Sequence, residues 1–216
     1  GATAGIARSP VEVLGSGSSD DRRRLVAAIA KLAAERGYAG VTVERIADYA
    51  DLDRRVFDAH FESREQGLLA AQQVFLGRLL SEAVGACGRE APWPLRLRAG
   101  LRAVLSSLIE NAALARVFSI EAGGVGLAFA ECELVALDDF ARLMRNGREA
   151  YPEAYPLPDV TERLLVGGVA SLLRQRLLRE ESIATPSLEV ELTELLLAPY
   201  IGDVEARRIA LEPLAP

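Results

Sequence analysis

The stretch Thr42–Phe61, TVERIADYADLDRRVFDAHF, decides how the rest of the chain reads. Thr42 is placed to cap the free amides of the turn after it, and Val41 stands at staple spacing from Ile46, which predicts a helix over Val43–Tyr49. Ala50-Asp51-Leu52 then turns the chain, Asp53 supplies a second N-cap, and Leu52 with Phe57 repeats the staple. The second helix therefore starts at Arg54, with Arg54 and Arg55 on its first turn. Two short helices across a tight turn, the second led by arginines, form the arrangement by which a helix-turn-helix enters a DNA groove.

Just downstream, Ser63-Arg64-Glu65-Gln66 fits a capping box in which the serine hydroxyl and the glutamine side chain each satisfy the other's backbone amide. Upstream, Leu25, Ile29, Leu32 and Ala33 share one face of a helix predicted over Arg22–Arg36 and stopped by Gly37. Helices of two turns bury little alone, so this face is their expected support. The product is a three-helix head over residues 20–70.

The run RLVAAIAKLAAERGYAGVTVERIADYADLDRRVFDAHFESREQGLLAA, residues 24–71, resembles the DNA-binding domain of the tetracycline-repressor-like (TetR) regulators. The resemblance rests on Gly37-Tyr38, Val41-Thr42-Val43, Ile46-Ala47, Leu52, His60-Phe61 and Ser63-Arg64-Glu65 followed by Leu68-Leu69. It implies a ligand-responsive transcriptional regulator, most often a repressor, that binds a double-stranded DNA operator as a homodimer. The chain departs from the family at four positions, with Asp51 for the usual glycine, Asp53 for serine, Asp58 for an aromatic residue and Arg64 for lysine. Asp51 suits a left-handed turn and Asp53 suits a cap, so neither alters the expected fold. Asp58 puts a carboxylate where the family's aromatic residue leans on a phosphate. A DNA-binding form of this chain must keep that carboxylate away, and pairing with Arg54 or Arg55 one turn earlier is the expected device.

Arg54 and Arg55 are assigned to base or near-base contacts, because a guanidinium suits bidentate hydrogen bonding to guanine. Thr42, Arg45, His60 and Arg64 are assigned to phosphates or to bracing, which positions a protein without reading sequence. The charge balance is unfavourable to loose binding: 25 Lys/Arg against 31 Asp/Glu give −6 overall. Residues 20–70 hold nine basic and ten acidic side chains, so weak nonspecific attraction to phosphate is expected. Specific binding then depends on a face where Arg22, Arg23, Arg24, Arg45, Arg54, Arg55 and Arg64 gather.

Outside the head, residues 1–19 contain Gly15-Ser16-Gly17-Ser18-Ser19 and read as a flexible leader. A helix is predicted from Ser63 to Gly88, and others over Leu95–Glu110, Asn111–Phe118 and Leu127–Arg148, with breaks at Pro92-Trp93-Pro94 and Gly123-Gly124-Val125-Gly126. Tyr151–Pro158 is a proline-set connector, and Asp159 with Glu162 suggests the next capped start. Two leucine-rich helices close the chain, the second beginning at Thr185-Pro186. The TetR resemblance implies that they build a four-helix dimer interface, here through Leu165, Leu172, Leu188, Leu192 and Leu195; closing an internal bundle is the other role that this pattern suits. Residues 71–216 are thus read as a ligand-binding and dimerisation body. Leu105, Leu108, Phe129, Phe140 and Val169 are candidates for its pocket, each equally suited to core packing, and they point to a largely apolar small-molecule effector. No β-alternation persists, so the class is all-α.

Other chemistries find little support. His60 is the single histidine, so no histidine-rich metal site can form. Glu131/Glu133 and Asp138/Asp139 diverge on a helix rather than share a metal or a proton. There is no GxGxxG, Walker or GxSxG signature, and neither an enzyme nor a cofactor is expected. Cys87 and Cys132 belong to no CxxC pattern and are read as reduced thiols. No run approaches the roughly 18 uncharged apolar residues of a membrane span, and the N-terminal residues lack a signal-peptide layout, so a cytoplasmic protein is expected. The alternative function is a helical small-molecule-binding dimer that has lost DNA binding, suggested by Asp58 and the acidic balance.

Overall fold

The computed structural model describes residues 10–86, 92–121, 126–153 and 156–212. Among them the chain is all-α, without a β-strand: α1 (Pro10–Arg36), α2 (Val43–Ala50), α3 (Arg54–His60), α4 (Arg64–Ala86), α5 (Trp93–Glu110), α6 (Ala112–Arg116), α7 (Leu127–Ala150), α8 (Thr161–Leu178), α9 (Pro186–Ile201) and α10 (Asp203–Leu211). Two compact units, residues 1–71 and 72–216, divide within α4.

In the first unit α2 and α3 both pack on α1. Leu25, Ile29, Leu32 and Ala33 are buried as the pattern predicts, together with Val41, Ile46, Phe57, Phe61 and Leu68. A Cβ on Gly67 would stand 2.8 Å from Ile29 Cδ1, so α4 approaches this core at a distance only glycine allows without a shift. The first helix is longer than its apolar face: α1 begins at Pro10, so residues 10–19, read as leader, are helical, while residues 1–9 lie outside the described residues. Proline suits a first helical turn, and extending a formed helix adds a hydrogen bond per residue, which carries glycine and serine along.

The second unit is built on a cluster of Trp93, Met144, Leu196, Leu197, Tyr200, Ala206 and Ile209. Trp93 starts α5 two residues ahead of the predicted Leu95, behind Pro92 as N-cap, and its ring centroid is 4.8 Å from that of Tyr200. α7 comes so near that a Cβ on Gly147 would lie 2.5 Å from Trp93 Cζ2. α10 carries no apolar pattern that marks it as a helix of the core. Gly202, at φ 79°, separates it from α9, and Arg98 holds it by donating to the carbonyls of Ile209 (2.8 Å) and Glu212 at its C-terminal end. A buried cation there satisfies carbonyls that the helix leaves open, with Glu189 3.4 Å from Arg98 Nε as counter-charge.

Glu162 does not cap α8. Val160 is the N-cap, with no side-chain hydrogen bond, and the Glu162 side chain turns inward, fully buried. Arg148 meets both its oxygens, Nε at 2.6 Å and Nη2 at 2.9 Å, and Tyr200 Oη donates at 3.0 Å. The same arginine donates to the carbonyls of Leu157 (2.8 Å) and Pro158 (2.7 Å), fixing the end of the proline-set connector. Burial alone would raise the Glu162 carboxyl, but the hydrogen bonds from Arg148, from its own backbone N–H and from Tyr200 together outweigh it and hold the group below its ordinary 4.5. A carboxyl depressed by folding stabilises above its unfolded value and loses that contribution as pH falls through the folded one. Glu162→Gln is therefore expected to cost about 2 kcal/mol at neutral pH and to flatten the acid limb of stability, read by urea unfolding between pH 7 and pH 3. An identical acid limb in parent and variant would remove this role from Glu162.

Candidate functional site

Local chemistry sets the geometry of α2, the turn and α3. The Thr42 hydroxyl accepts from Arg45 N at 3.4 Å and an Asp53 carboxylate oxygen accepts from Arg55 N at 2.8 Å, so both predicted caps form. Between them Asp51 adopts the left-handed conformation at φ 51°, ψ 51°, and its N–H reaches the carbonyls of Ala47 and Asp48. The box opening α4 is displaced by one residue: Ser63 Oγ accepts from Gln66 N at 3.2 Å, but Gln66 Oε1 takes the N–H of Glu62, not of Ser63, at 2.7 Å.

Most of the arginines read as a basic cluster are engaged inside the head. Arg24 donates to the carbonyls of Ala50 (2.6 Å) and Asp51 (3.2 Å), closing the C-terminal end of α2. Arg22 lies 5.4 Å from the centre of the Phe61 ring, and Arg23 pairs with Asp20. Arg45 donates to Gly40 O at 3.0 Å. Arg64 is the most tied, bonded to Val41 O (3.3 Å) and Tyr38 Oη (3.2 Å), paired with Glu65 at 2.8 Å and stacked 4.6 Å above the Tyr38 ring. Arg45 and Arg64 therefore brace the head in the free chain. His60, half-buried at the end of α3, stands 6.5 Å from the Phe61 ring.

The two arginines assigned to bases differ. Arg54 Nη1 is 2.6 Å from Glu44 Oε1 and its Nε is 3.7 Å from Asp58 Oδ2, so Asp58 turns back on Arg54, one turn earlier. Arg55 is exposed, and its guanidinium makes no ion pair or hydrogen bond among the described residues. The carboxylate that fits a phosphate contact least is thus drawn toward a cation of its own helix, and one arginine of the pair stays disengaged.

A cavity of about 730 Å³ lies in the second unit between α4, α5, α7 and α8. Leu108, Phe140 and Val169 line it, whereas Leu105 and Phe129 do not and are buried in ordinary packing. Leu101, Val104 and Leu108 define the cavity face of α5, and Leu105 is rotated about a quarter turn off it. On α7 the lining begins at Glu133, one turn beyond Phe129.

The candidate dimer residues divide in the same way. Leu188 and Leu192, 1% and 2% exposed, face the protomer's own core and are unavailable to a partner, and Leu165 packs half-buried on the core cluster. Leu172 and Leu195 remain exposed, at 36% and 50%, as does Leu164, and a Cβ at Gly167 or Gly168 would meet nothing within 4 Å. Cys132 is a half-buried free thiol, raised by burial and by Glu133; Cys87 lies outside the described residues. No group of three or more potential metal ligands occurs among the described residues, and no single helix among them is long and apolar enough to cross a membrane.

The family model of bacterial regulatory proteins, tetR family, matches residues 25–71. No curated protein matches the sequence. Among solved structures the chain is similar to RolR in complex with resorcinol, at 19% identity over 94% of this chain and 98% of that one, with a TM-score of 0.70. It is similar to the transcriptional regulator FadR from Bacillus subtilis in complex with stearoyl-CoA, at 17% identity over 83% of this chain and 98% of that one, TM-score 0.66. A TetR family transcription regulator from Marinobacter aquaeolei VT8 is 19% identical over 85% of this chain and 97% of that one, TM-score 0.62. The family model thus matches the helix-turn-helix head, and over 83% to 94% of its length the chain shares the all-α fold of these solved structures, a TetR family transcription regulator among them.

Proposed function

We propose that this chain is a cytoplasmic, homodimeric repressor that binds a double-stranded DNA operator through α3 and is released by a small, largely apolar effector held in the cavity. In this reading residues 20–70 bind DNA and residues 71–216 bind the effector and the second protomer. One observation carries it: the chain combines a doubly capped helix-turn-helix presenting a disengaged Arg55 with a cavity of about 730 Å³, within the range that encloses a single small molecule. The solved complexes of similar fold with resorcinol and stearoyl-CoA support an effector role for that cavity. Gel retardation against the DNA upstream of the chain's own coding region, beside a scrambled duplex, is expected to show selective binding that weakens with salt. Equal retardation of both duplexes would refute operator recognition.

A second reading, a small-molecule-binding dimer without DNA binding, draws on Glu44 and Asp58 flanking Arg54. Asp58→Tyr separates the two. If Asp58 positions Arg54 for base reading, the variant binds all DNA more tightly through a new phosphate contact but discriminates less, by about 1 kcal/mol, because Arg54 is no longer held. If DNA binding has been lost, the parent binds neither duplex and the variant acquires binding. Operator and scrambled duplexes at two salt concentrations decide, and equal preference in parent and variant would end the positioning role while leaving the helix-turn-helix assignment in place.

A further inference from the structure

Resting on the reading of the cavity as an effector site, we propose that its occupant is a long-chain amphiphile that enters tail first and leaves its hydrophilic head in water, at a mouth beside Arg96 and Asn146. The length of the site follows from the helices around it. The end of α7 meets the start of α5, where Gly147 packs on Trp93, and the lining continues along α5 to Leu108 and along α7 back to Glu133. Each of these stretches covers about 20 Å at the helical rise. Between its ends the walls are apolar, with Leu101, Leu137, Phe140 and Val169 among them.

The two ends differ in their access to water. Of all the lining residues only Val84, Gly85 and Asn146 are exposed. They stand near the ends of α4 and α7, at the end of the cavity where Arg96 occupies the first turn of α5. A Cβ on Gly85 would meet nothing within 4 Å, so this end is open. At the other end Phe75 and Leu108 are buried, the Phe75 ring is 5.7 Å from that of Phe118, and Arg174 is paired with Glu133.

A slot with apolar walls and one open end sorts the parts of an amphiphile. A straight hydrocarbon chain advances about 1.2 Å per bond, so the slot takes a tail of about sixteen carbons, each buried methylene strengthening binding about fourfold. A charge carried to the far end would leave water and lie against the Glu133 carboxylate, which Arg174 already matches. A head at the mouth stays hydrated, and the walls set no limit on its size. Acceptor oxygens on that head meet Arg96, whose guanidinium carries five donors, and the Asn146 amide.

The test uses the full chain loaded with the neutral fluorescent probe N-phenyl-1-naphthylamine, displaced by straight-chain compounds held below their micelle concentrations. From octanoate to dodecanoate the displacing concentration is expected to fall about fourfold per methylene, and to level off beyond about sixteen carbons. Dodecyl maltoside, whose uncharged head is far larger, should match dodecanoate within about fivefold, the most that the charge of an exposed head is worth. Dodecanedioate should bind about a hundredfold more weakly than dodecanoate, because its second carboxylate must enter the apolar end. Arg96→Glu should weaken dodecanoate about tenfold and leave dodecyl maltoside nearly unchanged. Ala136→Phe, at the far end, should move the levelling-off to shorter chains; Ala136→Leu stands in if thermal melting shows that Ala136→Phe is not folded. Displacement by dodecanoate but not by dodecyl maltoside would mean an enclosed head and overturn the proposal. Equal binding of dodecanoate and dodecanedioate overturns it as well, as does an Arg96→Glu variant that binds like the parent, or failure of every compound to displace the probe or to bind in direct calorimetry. Operator release is measured separately: displacement as stated by a protein that never holds an operator would refute the regulator reading and leave the cavity assignment standing.

Discussion

Replacing Arg54 and Arg55 together with alanine is expected to abolish specific operator binding while helicity and dimerisation stay unchanged. Both side chains stand on the first turn of α3, on the solvent side, and Asp53 caps that turn through its own carboxylate and the backbone of Arg55. Neither substitution therefore removes a core contact or the cap. Each good bidentate base contact is worth about 1–3 kcal/mol of discrimination, so the double variant loses most of what separates an operator from other DNA. The single variants should be unequal. Arg55 is disengaged and meets DNA at no internal loss, whereas Arg54 must first give up its pair with Glu44 while Asp58 continues to hold it. Exposed ion pairs of that kind are worth about 0–1 kcal/mol, less than a base contact, so Arg54 can be drawn away, but its net gain is smaller. Fluorescence anisotropy on operator and scrambled duplexes should rank the loss as double variant, then Arg55→Ala, then Arg54→Ala. An operator affinity equal to the parent's in the double variant would mean that α3 is not the recognition helix.

What was legible in the sequence was whatever is decided within a few residues. The caps at Thr42 and Asp53, the left-handed turn at Asp51 and the buried face of α1 each depend on neighbours one turn away, and each is present. Asp58 could be matched to a partner one turn earlier for the same reason, although only the structure distinguishes Arg54 from Arg55. Interactions across the chain were not legible. Arg24 reads as a candidate for DNA until the fold brings it to the carbonyls of Ala50 and Asp51, and Glu162 reads as a cap until Arg148 and Tyr200 draw it inward. α10 is hidden because DVEARRIAL looks like surface, its buried residues being Ala206, Ile209 and Ala210. The helices of the body carry leucine on more than one face, so periodicity marks a residue as apolar without saying whether core, cavity or partner covers it. For that reason Leu105 reads as pocket lining and Leu188 and Leu192 read as interface, while the fold buries all three in the chain's own packing.

Substituting glutamate for Leu172 and Leu195 is expected to yield folded monomers that no longer hold the operator. The exposure of these two leucines makes the experiment discriminating: within a single chain their glutamate replacements stay in water, so the fold has no cause to fail. In a dimer closed by α8 and α9 the same charges would be buried against leucine without a partner, at a cost of several kcal/mol. A Cβ on Gly167 or Gly168 would meet nothing within 4 Å in its own chain, which leaves room there for a second helix in such a dimer. Leu188→Glu supplies the contrast, because its charge would enter the protomer core and lower helicity as well as association. Two recognition helices must reach half-sites roughly 34–36 Å apart, so a monomer keeps one set of contacts and loses the other, together with the affinity that their linkage provides. Sedimentation of the double variant beside its circular dichroism separates the outcomes. A dimer of unchanged strength would move the interface away from α8 and α9, and a monomer that still bound the operator as tightly as the parent would mean that a single α3 suffices for recognition.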